Sequence, residues 1–156
     1  RFAKGTIIDD FSPLTYIGDR GKTTYNIKNS SGNIIYETAG DDTYNLWNNT
    51  TIYDYSGYDK YRISKSAHIQ TLLDYKGNDE YTFTSDHFSN VHDYKGNDEY
   101  TFINAVMVTD DGDPNPNRIH DYSGNDSYKI TKSKGVYIIE DKGNDKYVIN
   151  VGCKKN

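Results

Sequence analysis

The stretch Asp93-Tyr94-Lys95-Gly96-Asn97-Asp98-Glu99-Tyr100-Thr101-Phe102 decides the fold, because it is one copy of a motif that recurs along the chain. Residues 74–83 are nearly identical to it, and residues 121–130 and 140–149 repeat it with more substitutions. Weaker copies occupy residues 54–63, 37–46 and 18–27. The motif glycines are spaced by 19, 17, 20, 19, 28 and 19 residues and are Gly21, Gly40, Gly57, Gly77, Gly96, Gly124 and Gly143. A period near twenty residues is typical of a solenoid, in which each repeat forms one coil.

Each period contains two short strands. Residues 80–84 alternate between apolar and polar side chains, as expected for a strand buried on one side. Residues 85–90 are typical of a turn, and residues 91–93 form a second strand that leads into the next acidic turn. The absence of a long apolar stripe of helical period excludes a helical repeat. The sequence therefore predicts an all-β fold, a parallel β-roll or β-solenoid of about seven coils of ~19 residues.

Alignment of the coils places apolar side chains in three columns, which we expect to form the core. The first column contains Tyr25, Tyr44, Tyr61, Tyr81, Tyr100, Tyr128 and Tyr147. The second contains Ile27, Leu46, Ile63, Phe83, Phe102, Ile130 and Ile149. The third, on the other strand, contains Ile35, Ile52, Leu72, Val91, Ile119 and Ile138. The sixteen tyrosines compensate for a chain in which Leu, Ile, Val and Phe make up only about 19% of the residues.

The repeat predicts one domain over residues 1–156. Within it we expect degenerate coils over 1–34, regular repeats over 35–149, a loop insertion over 108–118 and a C-terminal tail over 150–156. The insertion accounts for the 28-residue spacing before Gly124.

The chain begins with what resembles an incomplete coil. Thr6-Ile7-Ile8-Asp9-Asp10 is similar to Tyr137-Ile138-Ile139-Glu140-Asp141, and we align the two segments. Terminal repeats of solenoids are often atypical because they cap an open end. A chain that starts at Arg1 without Met is expected to be a piece of a larger protein.

Charge and cysteine content exclude several classes. A formal net charge of −5 argues against nucleic-acid binding, which calls for a basic stripe. The single Cys153 excludes an internal disulfide framework. We identify no signal peptide and no membrane-spanning segment, so membrane insertion is not expected.

Carboxylates recur at two positions of the motif. The turn row, two residues after the glycine, contains Asp42, Asp59, Asp79, Asp98, Asp126 and Asp145. The strand row, three residues before the glycine, contains Glu37, Asp54, Asp74, Asp93, Asp121 and Glu140.

Like charges stacked at ~4.8 Å repel each other, and the lysines of the motif are too few and too exposed to neutralise them. A hard cation with oxygen ligands fits, and calcium tolerates the mixed oxygen donors of a turn. The glycine suits a backbone conformation that aims carbonyls at the ion. Asp and Asn also favour turns for backbone reasons alone. That explanation would be enough for a single acidic turn, but six acidic turns in register favour metal binding.

The motif Gly-Asn-Asp-x-Tyr-x-Ile/Phe resembles the RTX, or hemolysin-type, calcium-binding repeat G-G-x-G-x-D-x-U-x, where U is large and apolar. The matches to the third glycine are Gly77, Gly96, Gly124 and Gly143; those to the aspartate are Asp79, Asp98, Asp126 and Asp145; those to U are Tyr81, Tyr100, Tyr128 and Tyr147. The resemblance implies a right-handed β-roll with calcium ions between successive turns, bound by turn carbonyls and that aspartate. The chain departs from the family in having Asp-Tyr in place of the first Gly-Gly. Only every second turn carries the motif, so we expect several calcium ions in one row along one edge.

The candidate metal ligands are Asp42, Asp54, Asp59, Asp74, Gly77, Asp79, Asp93, Gly96, Asp98, Asp121, Gly124, Asp126, Glu140, Gly143 and Asp145. The near-identical turns around Gly77 and Gly96 are expected to hold the best ion. The gap between the Gly21 and Gly40 turns is expected to be empty or poorly filled, because Lys22-Thr23 replaces Asn-Asp.

Other motifs point to weaker hypotheses. Residues 18–23 resemble a phosphate loop but lack its spacing. Residues 111–117 resemble the start of an EF-hand loop without its Gly and Glu. His92 and His120 share one coil position and could contribute to a zinc site, although no third ligand is evident.

These features predict a calcium-dependent β-roll module, not an enzyme, in a secreted or surface bacterial protein. The module would fold on calcium outside the cell, in the extracellular space or at the cell surface, and would stabilise or display a larger chain. A calcium-dependent adhesin that binds a glycan, a protein or ice is an alternative. A short β-helix enzyme acting on acidic polysaccharide is a second alternative, although such an enzyme would need a cleft with a basic residue.

Overall fold

The computed structural model describes residues 5–8, 13–28, 31–64, 69–84, 90–105 and 118–150. These residues form short β-strands joined by turns and contain no helix. The strands are β1 (Gly5–Ile8), β2 (Thr15–Ile17), β3 (Thr23–Ile27), β4 (Asn33–Tyr36), β5 (Thr43–Leu46), β6 (Thr50–Asp54), β7 (Lys60–Ile63), β8 (Ile69–Asp74), β9 (Glu80–Phe83), β10 (Asn90–Asp93), β11 (Glu99–Ile103), β12 (Arg118–Asp121), β13 (Ser127–Thr131), β14 (Ile138–Glu140) and β15 (Lys146–Asn150). The described part of the chain therefore has no helix of the length and apolarity that a membrane crossing requires.

The strands alternate between two parallel sheets. Odd-numbered strands form one sheet in chain order, and even-numbered strands form the other. In the odd-numbered sheet, tyrosine pairs with tyrosine from Tyr25 to Tyr147, in steps of 19, 17, 20, 19, 28 and 19 residues. This topology is a β-solenoid with two strands per coil, so the fold prediction is confirmed.

The core lies between the two sheets and consists of the predicted columns. The rings of the tyrosine column stack along the solenoid with centroids 4.6–5.2 Å apart. Every column member from Tyr25 to Tyr128 is fully buried, whereas Tyr147 in the last coil is 48% exposed. Tyr16 is also fully buried and pairs with Ile35, which adds a first member to the third column.

The predicted alignment of the first coil is wrong. β1 lies in the odd-numbered sheet, where Ile7 pairs with Tyr25, whereas Ile138 lies in the even-numbered sheet. The third-column strand of this first coil is β2, which contains Tyr16. A Thr-Ile-Ile triplet fits either strand of a coil, because both strands bury alternate residues. Sequence similarity alone therefore could not decide which of the two strands it forms.

The long spacing lies between β11 and β12 and leaves the register of both sheets intact. Tyr100 still pairs with Tyr128 and Val91 with Ile119, so the solenoid continues across the extra residues. These residues lie between β11 and β12, although Arg118 at the predicted end of the insertion is already in β12. Residues 106–117 and 151–156 lie outside the described residues, as does Cys153.

Candidate metal centre

The strand row points into the solenoid. Strands β6, β8, β10 and β12 each end in an aspartate that follows a buried third-column residue by two positions. Because alternate residues of a strand face the same side, Asp93 faces inward like Val91. The four aspartates, Asp54, Asp74, Asp93 and Asp121, have no exposed surface. The strand row is thus a line of carboxylates at the edge of the apolar core.

The turn row lies beside it and is held by the backbone. The Oδ1 atom of each turn-row aspartate accepts a hydrogen bond from the main-chain N–H at the equivalent position of the preceding coil. Asp98 Oδ1 lies 2.6 Å from the nitrogen of Asp79, and Asp79 Oδ1 lies 2.7 Å from that of Asp59. The same bond recurs at Asp42, Asp59, Asp126 and Asp145. Asp42, Asp59, Asp79, Asp98 and Asp126 are 1–2% exposed or less.

The motif glycines make room for these carboxylates. A Cβ atom on Gly96 would lie 2.3 Å from the carbonyl oxygen of Gly77 and 2.4 Å from both carboxylate oxygens of Asp98. Gly57 and Gly124 are crowded in the same way. Neither Gly96 nor Gly77 has a positive φ angle. Glycine is therefore required at Gly96 and Gly77 because a side chain would not fit. The sequence had suggested a different reason, a special backbone conformation. The glycine carbonyl also borders the carboxylates and is a candidate oxygen ligand.

The two rows converge into triads between successive coils. In each triad, one oxygen from each of three carboxylates lies within 4.8 Å of the other two. The triads are Asp42, Asp54 and Asp59; Asp59, Asp74 and Asp79; Asp79, Asp93 and Asp98; Asp98, Asp121 and Asp126; and Asp126, Glu140 and Asp145. The first four are buried, and Glu140 and Asp145 of the last are partly exposed. Neighbouring triads share one turn-row aspartate, so they form a continuous row.

Most of the buried carboxylates leave one oxygen without a donor within the described residues; Asp74 is the exception, because its Oδ1 accepts the N–H of Lys76 over 3.1 Å. Tyr81 Oη donates to Asp93 Oδ2 over 2.7 Å, but Asp93 Oδ1 accepts no hydrogen bond from the described residues. Asp98 Oδ2 likewise has no donor there. The same pattern holds for Asp42, Asp54, Asp59, Asp79, Asp121 and Asp126. Buried polar atoms are normally satisfied, so these oxygens mark a space that a cation fits.

Without a cation, the triads favour protonated carboxyl groups. Burial raises the pKa of Asp79 to about 11, and the neighbouring charge of Asp74 adds to the rise. Burial also raises the pKa values of Asp54, Asp98 and Asp126 to about 7. The pKa of Asp93 is raised well above its ordinary value for the same reason, with the charge of Asp98 as the second cause. Ionised together, these groups require a compensating positive charge.

The donor set suits a hard cation. Every side chain of the triads is a carboxylate, with no histidine or cysteine among them. Oxygen-only sets are typical of calcium, magnesium and manganese sites, whereas zinc and copper prefer nitrogen or sulfur. His92 and His120 lie away from the triads, with ring centroids 5.9 Å apart. They contact Tyr122 and Asp141 and form no metal cluster within the described residues.

The structure brings together all the carboxylates of the candidate ligand set, whereas Glu37 of the strand row belongs to no triad within the described residues. The row passes through Asp98, Asp121 and Asp126 on either side of the long insertion, as predicted. No triad forms at the Gly21–Gly40 gap within the described residues, where Thr23 takes the aspartate position. Asp19 Oδ1 instead accepts the N–H of Gly21 over 2.7 Å, as in a simple Asx turn. Residues 111–117 lie outside the described residues.

Sequence reasoning missed the role of the tyrosine hydroxyls. Tyr44, Tyr61, Tyr81 and Tyr100 each donate to the strand-row carboxylate of the next coil, over 2.5–2.9 Å. The available signal was the constant offset of seven residues from each strand-row carboxylate to the column tyrosine of its own coil, which in a stack places each hydroxyl between two carboxylates of the row. That signal was masked by the apolar character expected of the column.

The chain is therefore a parallel β-solenoid with an interior row of carboxylate triads that could hold metal ions. Comparison with known protein families finds no matching family model, and comparisons with curated proteins and with solved structures find no significant match.

Proposed function

We propose that this chain is a calcium-binding module that folds when calcium fills the row of triads. The observation that carries the proposal is the convergence of buried carboxylate oxygens without donors at every gap between the acidic turns from Gly40 to Gly143. Each added coil contributes two carboxylates, so one divalent cation per gap balances the charge along the row. A monovalent ion would leave one negative charge per coil in a buried site.

Calcium fits this row better than magnesium. Magnesium demands near-ideal octahedral geometry and usually keeps several bound waters. The triads are enclosed by the turn backbone on one side and by the tyrosine column on the other, which favours direct coordination by protein oxygens. Calcium accepts six to eight oxygens at variable angles, and glycine carbonyls beside the carboxylates can add to the three carboxylate ligands.

The similarity of the motif to RTX repeats supports the assignment of the module to a secreted or surface bacterial protein. Extracellular calcium is present at millimolar levels, where weak sites of about 10⁻⁴–10⁻³ M fill. In this proposal the module stabilises or displays a larger chain and has no catalytic role. The strand-row carboxylates replace part of the glycine-rich turn of that family, so this chain binds its ions with more acidic side chains.

Circular dichroism with and without calcium tests the proposal. We expect a coil-like spectrum in chelator at pH 7.5, and a β spectrum after millimolar calcium is added. Magnesium at the same concentration should produce a much smaller change. A β spectrum that is the same in chelator and in calcium would contradict the proposal.

A further inference from the structure

The outside of the solenoid carries the opposite charge from the chain as a whole. The sequence contains 23 acidic and 18 basic residues, for a formal net charge of −5. The strand row and the turn row take up twelve of the acidic residues. Among the described residues outside the two rows, five are acidic and thirteen are basic. A slightly acidic sequence thus folds with a basic exterior.

Cation loading would reverse the net charge. One divalent cation in each of the five triads adds ten positive charges, which changes the formal net charge from −5 to +5. This step rests on the proposed function, because only a filled row neutralises the interior carboxylates. The loaded module should therefore behave as a cation, and the chelated chain as an anion.

The basic exterior is concentrated in the last two coils. Five exposed lysines there form what we term the terminal lysine band: Lys129, Lys132, Lys134, Lys142 and Lys146. Within residues 118–150, Asp141 is the one acidic residue outside the two rows, and it contacts His120 over 3.2 Å. No ion pair within the described part of the chain joins a lysine of this band to a carboxylate. By contrast, Lys60 in an earlier coil lies 2.7 Å from Glu80.

The band crosses the outer face of the odd-numbered sheet. Lys146 begins β15 near the acidic turns, and Lys142 lies in the last of those turns. Lys129 is in the middle of β13, between the inward-facing Tyr128 and Ile130. Lys132 and Lys134 follow β13 at the opposite edge. A five-residue strand spans roughly 17 Å, so the band is an open track of separated positive charges rather than a pocket.

We propose that the terminal lysine band of the cation-loaded module binds a linear acidic polysaccharide, a chain of carboxylate-bearing sugars. Lysine ammonium groups spread along a track suit carboxylates spaced along a flexible polymer, because each acts as a point charge without demanding a fixed geometry. Single-stranded nucleic acid would also need exposed aromatic faces for its bases. The tyrosines of the outer column, Tyr55, Tyr75, Tyr94 and Tyr122, instead cover one another with centroids 4.7–5.1 Å apart, and Tyr147 beside the band stacks on Tyr128 at 4.9 Å.

Binding to hyaluronan tests the inference, because this uronate polymer does not gel with calcium. Affinity is measured for the full chain at constant ionic strength, in 2 mM calcium and in chelator. The band variant Lys129→Gln/Lys142→Gln/Lys146→Gln is compared with Lys22→Gln/Lys76→Gln/Lys95→Gln, which removes the same charge from exposed positions in other coils. Calcium occupancy and net mobility in free-solution electrophoresis are measured on the same samples.

We expect hyaluronan to bind at least tenfold more tightly in calcium than in chelator, with mobility changing from anionic to cationic. The band variant should lose about tenfold in affinity and the control variant about threefold or less.

Equal losses in the two variants would overturn the assignment to the band. Tighter binding of oligo-dT, or of vesicles containing phosphatidylserine, than of hyaluronan would overturn the choice of partner. If calcium binds and mobility reverses but no hyaluronan is bound, the inference fails and the proposed function stands; if no calcium binds, the proposed function itself fails.

Discussion

At the scale of single residues, each turn-row aspartate has two separate tasks. Oδ1 of Asp98 accepts the N–H of Asp79 and ties one coil to the next, while Oδ2 remains free for a cation. Asp98 belongs to two triads because it lies between two gaps, whereas Asp42 belongs to one. Position along the row therefore determines how many ions depend on a given carboxylate.

Asp98→Ala should cost more calcium-dependent stability than Asp42→Ala. At calcium concentrations about 1,000 times the dissociation constant, each emptied site removes about 4 kcal/mol. Asp98→Ala weakens two sites and Asp42→Ala one, so the loss should be up to about twice as large. Thermal melts of both variants in saturating calcium measure the difference. Equal losses would show that the ions do not bridge neighbouring coils.

Gly96→Ala should reduce both stability and calcium affinity. The new methyl group would overlap the carbonyl of Gly77 and the carboxylate of Asp98, so the turn must shift. Overpacking of this kind typically costs about 1–3 kcal/mol. Gly21→Ala is the matched control, because a Cβ there meets only the exposed side chain of Asp19 and no triad lies at that gap. Chemical denaturation in calcium measures both, and a loss in the control as large as in Gly96→Ala would refute the steric account.

At the scale of structural elements, the tyrosine column connects the apolar core to the strand row of carboxylates. The contact of Tyr81 Oη with Asp93 of the next coil measures 2.7 Å, and that with Asp74 of its own coil measures 3.2 Å. A hydroxyl has one proton, so the shorter contact indicates that it is donated forward. The same asymmetry holds for Tyr61, at 2.7 Å to Asp74 and 3.0 Å to Asp54. Each coil thus orients the ligands of the coil that follows.

Tyr81→Phe should weaken calcium binding while keeping the stacked ring. Outer groups that hold metal ligands typically contribute 10–100-fold in affinity, and we expect a loss of about tenfold. Tyr94→Phe removes a hydroxyl from the outer column, where no hydrogen bond to a carboxylate is made within the described residues. Calcium titration by calorimetry compares the two variants. Unchanged affinity in Tyr81→Phe would mean that the hydroxyl only fills space.

The repeat spacing was sufficient to predict the strands, the columns and both carboxylate rows. Strict register carried this information, because equivalent residues of a parallel stack must lie next to each other. The roles of Gly96 and Tyr81 were not predictable in the same way, since they depend on ångström-scale contacts between coils. The assignment of Thr6-Ile7-Ile8 failed because the four-residue strand β1 carries too little pattern to identify its sheet.

At the scale of the whole molecule, the fold encloses charge where most proteins enclose only apolar groups. Protons and cations are two ways to neutralise that charge. Burial raises the pKa values of Asp54, Asp98 and Asp126 to about 7 in the folded chain without cations. In the unfolded chain these groups have pKa values of about 4.

The cation-free fold should therefore be more stable at pH 4 than at pH 7.5. Between about pH 4 and about pH 7 the folded chain binds more protons than the unfolded chain, so stability falls as pH rises through this range. In chelator, the melting midpoint should be lower at pH 5.5 than at pH 4 and the folded baseline should be lost at pH 7.5, where calcium should restore a melting transition. A midpoint that rises with pH in chelator would contradict the placement of the carboxylates in the interior.

The central claim is that each gap between acidic turns holds one calcium ion. Native mass spectrometry of the folded chain in millimolar calcium counts these ions directly. The account predicts a dominant species with five bound calcium ions, one per triad, and a shift to extended, highly charged species when the ions are removed. A compact species that carries no calcium under the same conditions would contradict the account.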